Sequence, residues 1–126
     1  MPKAPKGSKQ ESCAKTPEEQ TLIRIRTLND HLRQSGQGGR IVITHGVSAL
    51  GRGAFFQIRY AIAQHTRFTN DNDPHGAHDF GTLAYQNLQI LWKIDYYDLE
   101  MEYHSIDPAN SDITIRVLTI MLASEY

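Results

Sequence analysis

The first periodic stretch of the chain predicts an amphipathic helix. Its apolar residues recur at spacings of 3, 3 and 4, as one face of a helix requires: Leu22, Ile25, Leu28 and Leu32. Just before them, Thr16 and Glu19 have the spacing of a capping box, and Pro17 suits the first helical position. We therefore expect a helix that begins after Thr16 and ends at Ser35, before a glycine-rich turn.

The middle of the chain predicts a strand, a second helix and a long loop. The stretch Arg40–Thr44 is short and β-branched with glycines on both sides, which is typical of a buried strand. From Ala54 to about His65, apolar residues recur at helical spacing and predict a largely buried helix. Residues 66–79 have no apolar period and are rich in Asn, Asp, Pro and Gly, so we expect a loop there.

The second half of the chain predicts a meander. Three extended stretches follow one another across two short turns: Phe80–Tyr85, Leu88–Tyr96 and Leu99–Ser105. Residues 113–120 fit either a strand or a helix. The capping residues between Asp107 and Asp112, and the good helix formers that follow Val117, favour a buried C-terminal helix.

These elements give the order α-β-α-β-β-β-α and an α+β fold. We expect a small antiparallel-rich sheet, one strand plus a three-strand meander, covered by about three helices. The 126 residues suit one domain over residues 16–126 and exclude a two-domain enzyme. Residues 1–15 are rich in Lys, Pro and Ser without apolar periodicity, so we expect a disordered basic tail.

Four segments of the chain resemble a bacterial, mainly alphaproteobacterial, domain of unknown function, DUF3768. They are Asn70–Gly76, His78–Gly81, Trp92–Asp98 and Leu118–Tyr126. The resemblance implies a bacterial, cytosolic protein that is often carried on plasmids and other mobile DNA. Genes of this kind lie near conjugation and anti-restriction functions, so the resemblance also suggests a role in countering host defence. It implies no established activity.

The net charge of -1 conceals a charge gradient along the chain. Residues 1–70 carry eleven Lys and Arg against four Asp and Glu, a net +7, whereas residues 71–126 carry two against ten, a net -8. The single cysteine, Cys13, excludes an intramolecular disulfide and a cysteine-based zinc site. With no apolar stretch of about 18 residues and no secretory signal, we expect a cytoplasmic protein that does not enter a membrane.

The acidic second half predicts an interaction surface. Its carboxylates alternate with tyrosines, a combination that suits contact with a protein partner: Asp95, Asp98, Glu100, Glu102, Tyr97 and Tyr103. The plainer interpretation is a solvated strand face. Our leading hypothesis is a small binding protein, not an enzyme and without a cofactor, that contacts an unknown protein partner through this surface or through the loop 66–79. The sequence leaves open whether the protein forms a homodimer.

The polar loop supports an alternative, a metal-dependent hydrolytic enzyme. Imidazole and carboxylate groups together suit zinc or manganese, and five residues supply them: His45, Asp73, His75, His78 and Asp79. The plainer interpretation is a loop whose Asp and Asn side chains bond its own backbone.

Two further binding modes are weaker. Gly51, Arg52 and Gly53 lie between a strand and a helix, where backbone amides can hold an anion, but the Lys and Ser/Thr of a phosphate loop are missing. These glycines would equally permit a tight turn. The basic first half could contact nucleic acid, although the acidic second half would repel phosphate.

Overall fold

The computed structural model describes residues 15–126 as three helices packed on a four-stranded sheet, which confirms the α+β class. The elements are α1 Pro17–Ser35, β1 Arg40–Ile43, α2 His45–Ser48, α3 Arg52–Ala63, β2 Phe80–Tyr85, β3 Leu88–Tyr97, β4 Ile115–Leu122 and a 3-10 turn Ala123–Glu125. The predicted basic tail, apart from Lys15, lies outside the described residues. Of the helices in residues 15–126, none is long and apolar enough to cross a bilayer.

The first helix begins and ends as the sequence predicts. The Glu19 amide donates to the Thr16 hydroxyl at 3.1 Å, and the Thr16 amide donates to the Glu19 carboxylate at 2.8 Å. Gly36 closes the helix with φ of 79° and donates its amide to the Leu32 carbonyl at 2.8 Å. Both ends are therefore fixed by local contacts.

The sheet has the order β1-β4-β3-β2, in which β1 is parallel to β4 and the other pairs are antiparallel. Trp92 pairs with Ile120 and Ile94 with Leu118, so alternate residues of the two central strands share the face that packs on the helices. The core on that face comprises Leu32, Val47, Ile58, Ile62, Ile90, Trp92, Ile94, Leu118 and Ile120.

The predicted C-terminal helix is wrong, because residues 115–122 form strand β4. This strand lies between β1 and β3, and it is buried from both faces: Leu118 and Ile120 face the helices, while Val117 and Met121 alternate with them. A continuous apolar run suits such a central strand as well as a buried helix. The predicted capping residues serve the preceding loop instead, where Asn110 accepts from the Asp112 amide.

The predicted strand Leu99–Ser105 is also wrong. The chain turns directly after β3 and forms only one isolated bridge, between Tyr97 and His104. Met101 adopts a left-handed φ of 61°, and the Asp98 carboxylate accepts from the Glu102 amide at 3.0 Å. This side-chain hydrogen bond stabilises the turn, and residues 99–105 form no strand beside β3. The neighbour of β3 is therefore β4, where we expected a third strand of the meander.

Candidate functional site

A surface groove opens beside the turn that follows β3. We call it the acidic groove. It has a volume of about 420 Å³ and is lined by Asp98, Leu99, Glu100, Tyr103, His104, Ile106 and Ile113. Three of these side chains are large, apolar or aromatic, and exposed: Leu99 by 54%, Tyr103 by 72% and Ile106 by 93%. Neighbouring exposed apolar side chains of this kind are typical of interaction surfaces in proteins.

The first wall of the acidic groove is the turn itself. The Asp98 amide donates to the Tyr103 carbonyl at 2.8 Å, and the Met101 amide donates to the Asp98 carbonyl at 3.0 Å. The Ser105 amide then donates to the Tyr96 carbonyl at 3.0 Å and returns the chain to β3. Leu99 and Glu100 are thereby held at the tip of a closed turn.

The second wall, residues 105–113, is bonded to the sheet and to α1. The hydroxyls of Ser105 and Thr114 share a buried hydrogen bond of 2.6 Å. Arg116 donates to the Pro108 carbonyl, and Arg24 of α1 donates to the Ala109 carbonyl at 3.1 Å. The exposed Ile106 therefore projects from a segment that is fastened on both sides.

The segment that builds the acidic groove is strongly negative. Between positions 98 and 112 there are no Lys or Arg but five acidic residues, a net charge of -5: Asp98, Glu100, Glu102, Asp107 and Asp112. The ion pairs in residues 15–126 all involve other acids, so none of these five carboxylates is neutralised by a basic side chain there. Such a surface favours a cationic partner.

The predicted interaction surface is divided by the sheet. Asp98, Glu100, Glu102 and Tyr103 belong to the groove or its turn, whereas Asp95 and Tyr97 lie within β3 and alternate with the core residues of that strand. Asp95 accepts a hydrogen bond of 2.6 Å from Lys93, and this bond raises the pKa of the Lys93 ammonium. Asp95 is therefore partly neutralised, unlike the groove carboxylates.

The polar loop is fastened to α1 through His78. The His78 Nδ1 atom lies 2.9 Å from an oxygen of Asp30, and its Nε2 atom lies 3.7 Å from Asp73. The His78 ring stacks on Phe68 with centroids 3.8 Å apart, and its φ of 57° is left-handed. The Asp73 carboxylate also accepts the His78 amide at 3.2 Å. His78 is thus held between two carboxylates and an aromatic ring.

A second chain of hydrogen bonds joins the loop to the sheet. Arg116 donates to Asn29 at 2.9 Å, Asn29 donates to the Tyr96 hydroxyl at 2.8 Å, and that hydroxyl donates to Asp79 at 3.2 Å. Burial raises the pKa of Asp79 despite the Tyr96 bond, and burial together with the Asp79 charge raises the pKa of Tyr96. The raised pKa of Tyr96 keeps its hydroxyl protonated, so the hydroxyl can donate to Asp79.

Arg33 is buried, although its position on α1 suggests a solvent-exposed side chain. Only 2% of it is accessible, and its guanidinium donates to the carbonyls of Ile62, Ala63 and His65 and to Asp30. These carbonyls end α3 and begin the loop, where a helix leaves its last acceptors unpaired. Arg33 of α1 thus supplies hydrogen-bond donors to the carbonyls at the C-terminal end of α3.

His65 gives the fold a dependence on pH. Its ring packs edge-on against Phe68 and Trp92, and burial, followed by the charge of Arg33, lowers its pKa below the ordinary value of 6.5. The unfolded chain therefore binds a proton at this residue more readily than the folded chain does. Stability from His65 is fully present above pH 6.5 and is lost as the pH falls below it.

When the pH is lowered from about 7 to about 5, we expect the unfolding free energy of a His65→Leu variant to fall by less than that of the parent. The reason is that leucine takes up no proton on unfolding. Urea unfolding at several pH values measures both slopes. Asp79, with its raised pKa, acts in the opposite direction at lower pH in both proteins, so it cancels from the comparison. Equal slopes for parent and variant would contradict the assignment to His65.

The structure brings together part of the predicted metal set. Asp73 and His78 contact each other, and the charges of Asp73 and His75 act on the Asp79 carboxyl. His45 is elsewhere, at the start of α2 beside Glu125. In the described residues 15–126 no group of three or more His, Cys, Asp or Glu has a metal-binding arrangement. A zinc or manganese site stays a prediction, which elemental analysis of the purified protein checks.

The predicted anion site lies at the start of α3. Gly51 has a left-handed φ of 101°, and Gly51 and Arg52 line a shallow depression with Ile43, Ser48 and Phe55. Gly53 follows within the first turn of α3, and Arg52 is exposed. Anion binding here stays a prediction.

Sequence reasoning missed two residues that organise the loop, Asn29 and Asp30. Asn29 is fully buried and also donates to the Ala77 carbonyl at 2.9 Å. A signal was available: positions 22, 25, 29 and 32 have spacings of 3, 4 and 3, so Asn29 occupies the core stripe of α1. A polar residue on such a stripe needs buried hydrogen-bond partners.

Comparison with known proteins places the chain in a family. No curated protein and no solved structure matches the chain significantly. One family model matches residues 43–125, which include α3, the polar loop, strands β2 to β4 and the whole acidic groove. Because the match covers well over half of the sequence, the chain belongs to the family described as "Protein of unknown function (DUF3768)".

Proposed function

We propose that this protein is a binding protein whose acidic groove holds a basic and apolar segment of a partner protein. The observation that carries the proposal is the coincidence of two features in one place. Ile106, Tyr103 and Leu99 are exposed around a groove, and the segment that builds the groove carries a net charge of -5 without a neutralising base among residues 15–126.

The two features give the groove separate roles in binding. Burying a large apolar side chain such as Ile106 contributes roughly 1.5–3 kcal/mol, so the exposed apolar residues supply affinity. The carboxylates at the rim attract cationic partners and select against acidic ones. The groove volume of about 420 Å³ suits a short peptide segment with one or two apolar side chains.

We extend this proposal to a biological role, the modulation of host defence. As a cytosolic bacterial protein carried on mobile DNA, it would modulate host defence by occupying a basic segment of a defence protein. The carboxylates of the acidic groove would then stand where the phosphates of nucleic acid normally bind such a segment.

Synthetic peptides that contain Lys and Leu test the binding proposal. We expect the full chain to bind such a peptide, Ile106→Ser to weaken binding by about tenfold, and the double variant Glu100→Gln, Glu102→Gln to reduce both affinity and its salt dependence. Fluorescence anisotropy of the labelled peptide measures each affinity.

Two control variants make this test specific. Val42→Ser removes an exposed apolar side chain outside the groove, and Asp71→Asn removes an exposed carboxylate outside it. Both are expected to bind like the parent. The proposal fails if basic peptides do not bind, or if the Val42 and Ile106 variants lose affinity equally.

A further inference from the structure

We propose that residues Pro2–Lys9 of the same chain occupy the acidic groove, so that a partner must displace them. This inference rests on the proposed function, because it assigns an occupant to the same groove. It makes the N-terminal segment an intramolecular competitor of the partner.

The chemistry of this segment matches the chemistry of the groove. Lys3, Lys6 and Lys9 recur at every third position, and Pro2 and Pro5 directly precede the first two of them. Pro2 and Pro5 have the spacing of the proline-rich segments that grooves lined by aromatic residues recognise. Here Tyr103 supplies the aromatic surface, and Asp98 and Glu100 supply the counter-charges.

The starting point of the segment lies within reach of the groove. Arg24 of α1 contacts the Ala109 carbonyl in the second wall, at 3.1 Å. The helix begins after Thr16, which is about 12 Å from Arg24 along the axis at 1.5 Å per residue. The linker from Lys9 to Lys15 covers six residues and spans up to about 20 Å when extended. It is therefore longer than this axial distance, and Lys9 can reach the wall of the groove.

Tethering makes even a weak contact effective. A short linker gives its attached segment an effective concentration in the millimolar range, so a segment that binds with a millimolar dissociation constant occupies the groove about half of the time. The apparent affinity of a competing partner falls by the same occupied fraction. Added salt screens the lysine and carboxylate charges, and it is therefore expected to release the segment.

The single cysteine of the chain allows a direct test. A nitroxide attached to Cys13 of the full chain broadens the NMR signals of nearby amides. We expect broadening at Leu99–Ile106, and its loss in the variant K3E/K6E/K9E. The amide of Gln57 is the internal control, because α3 adjoins the far end of α1, where Arg59 lies against Gly36. A synthetic peptide of residues 1–9 is expected to bind K3E/K6E/K9E at least twofold more tightly than the parent.

Each other outcome overturns the inference. Broadening that increases with protein concentration would mean that the segment of a second copy occupies the groove. Absence of broadening would overturn the inference while leaving the proposed function intact if Lys/Leu peptides still bind. If those peptides also fail to bind, both the inference and the proposed function fail.

Discussion

Replacing Arg33 by methionine is expected to lower the free energy of unfolding by about 3 kcal/mol, because the carbonyls at the end of α3 lose a buried, charged donor. Methionine keeps much of the apolar stem but removes the donor that Ile62, Ala63, His65 and Asp30 share. The carbonyls that end α3 then lack this donor in a buried site. Urea unfolding followed by circular dichroism measures the loss.

Arg24→Met is the matched control for this variant. Arg24 lies on the same helix but is exposed, and its one hydrogen bond joins it to the Ala109 carbonyl. We expect it to cost about 1 kcal/mol or less. Amide hydrogen exchange should also accelerate between residues 64 and 79 in the Arg33 variant alone. Equal losses for the two variants would show that Arg33 does not hold α3 and the loop together.

Sequence reasoning succeeded where the controlling contacts are local. Thr16 and Glu19 bond each other across three residues, and Gly36 bonds back to Leu32, so both ends of α1 follow from short spacings. The hairpin of β2 and β3 likewise follows from one turn between Tyr85 and Leu88. In each case the deciding interaction lies within the window of residues from which the prediction is made.

Two features were missed because partners distant in sequence decide them, whereas the wrong strand Leu99–Ser105 reflects a local bond between Asp98 and Glu102. Strand β4 pairs in parallel with β1, so Ile120 lies beside Ile43 although the chain separates them by more than seventy residues. The apolar run of β4 suits a helix or a strand, and only that pairing decides between them. His78 is similar, because its partner Asp30 lies 48 positions away on α1. Composition therefore predicts the loop of residues 66–79, but it does not predict that His78 joins this loop to α1.

The charge gradient also changes its meaning once the contacts are known. The three arginines of α1 donate to backbone carbonyls of loops and of a helix end: Arg24, Arg26 and Arg33. These bonds engage much of the positive charge of α1, whereas the carboxylates of residues 98–112 remain without an ion pair in the described structure. Much of the positive charge of α1 thus serves to hold the fold together, while the charge of residues 98–112 is left available to the partner that we propose.

Gly81→Ala is expected to destabilise the protein by about 1–3 kcal/mol, as overpacking of a dense core does. Gly81 lies in β2 opposite Trp92, and an added Cβ would lie only 2.5 Å from three atoms of the indole ring. Trp92 is fully buried among core residues, so the ring cannot move away without disturbing them. Because Trp92 is the only tryptophan, near-UV circular dichroism reports its displacement while urea unfolding gives the loss of stability.

Gly53→Ala separates this steric effect from the general effect of replacing glycine. A Cβ at Gly53 meets no atom within 4 Å, and the residue lies in the first turn of α3, where alanine is the better helix former. We expect that variant to match the parent or to gain up to about 1 kcal/mol. The double variant Gly81→Ala, Trp92→Phe should cost less than the sum of its two single changes, because the smaller ring relieves the clash. Additive losses would show that Gly81 and Trp92 are not packed against each other.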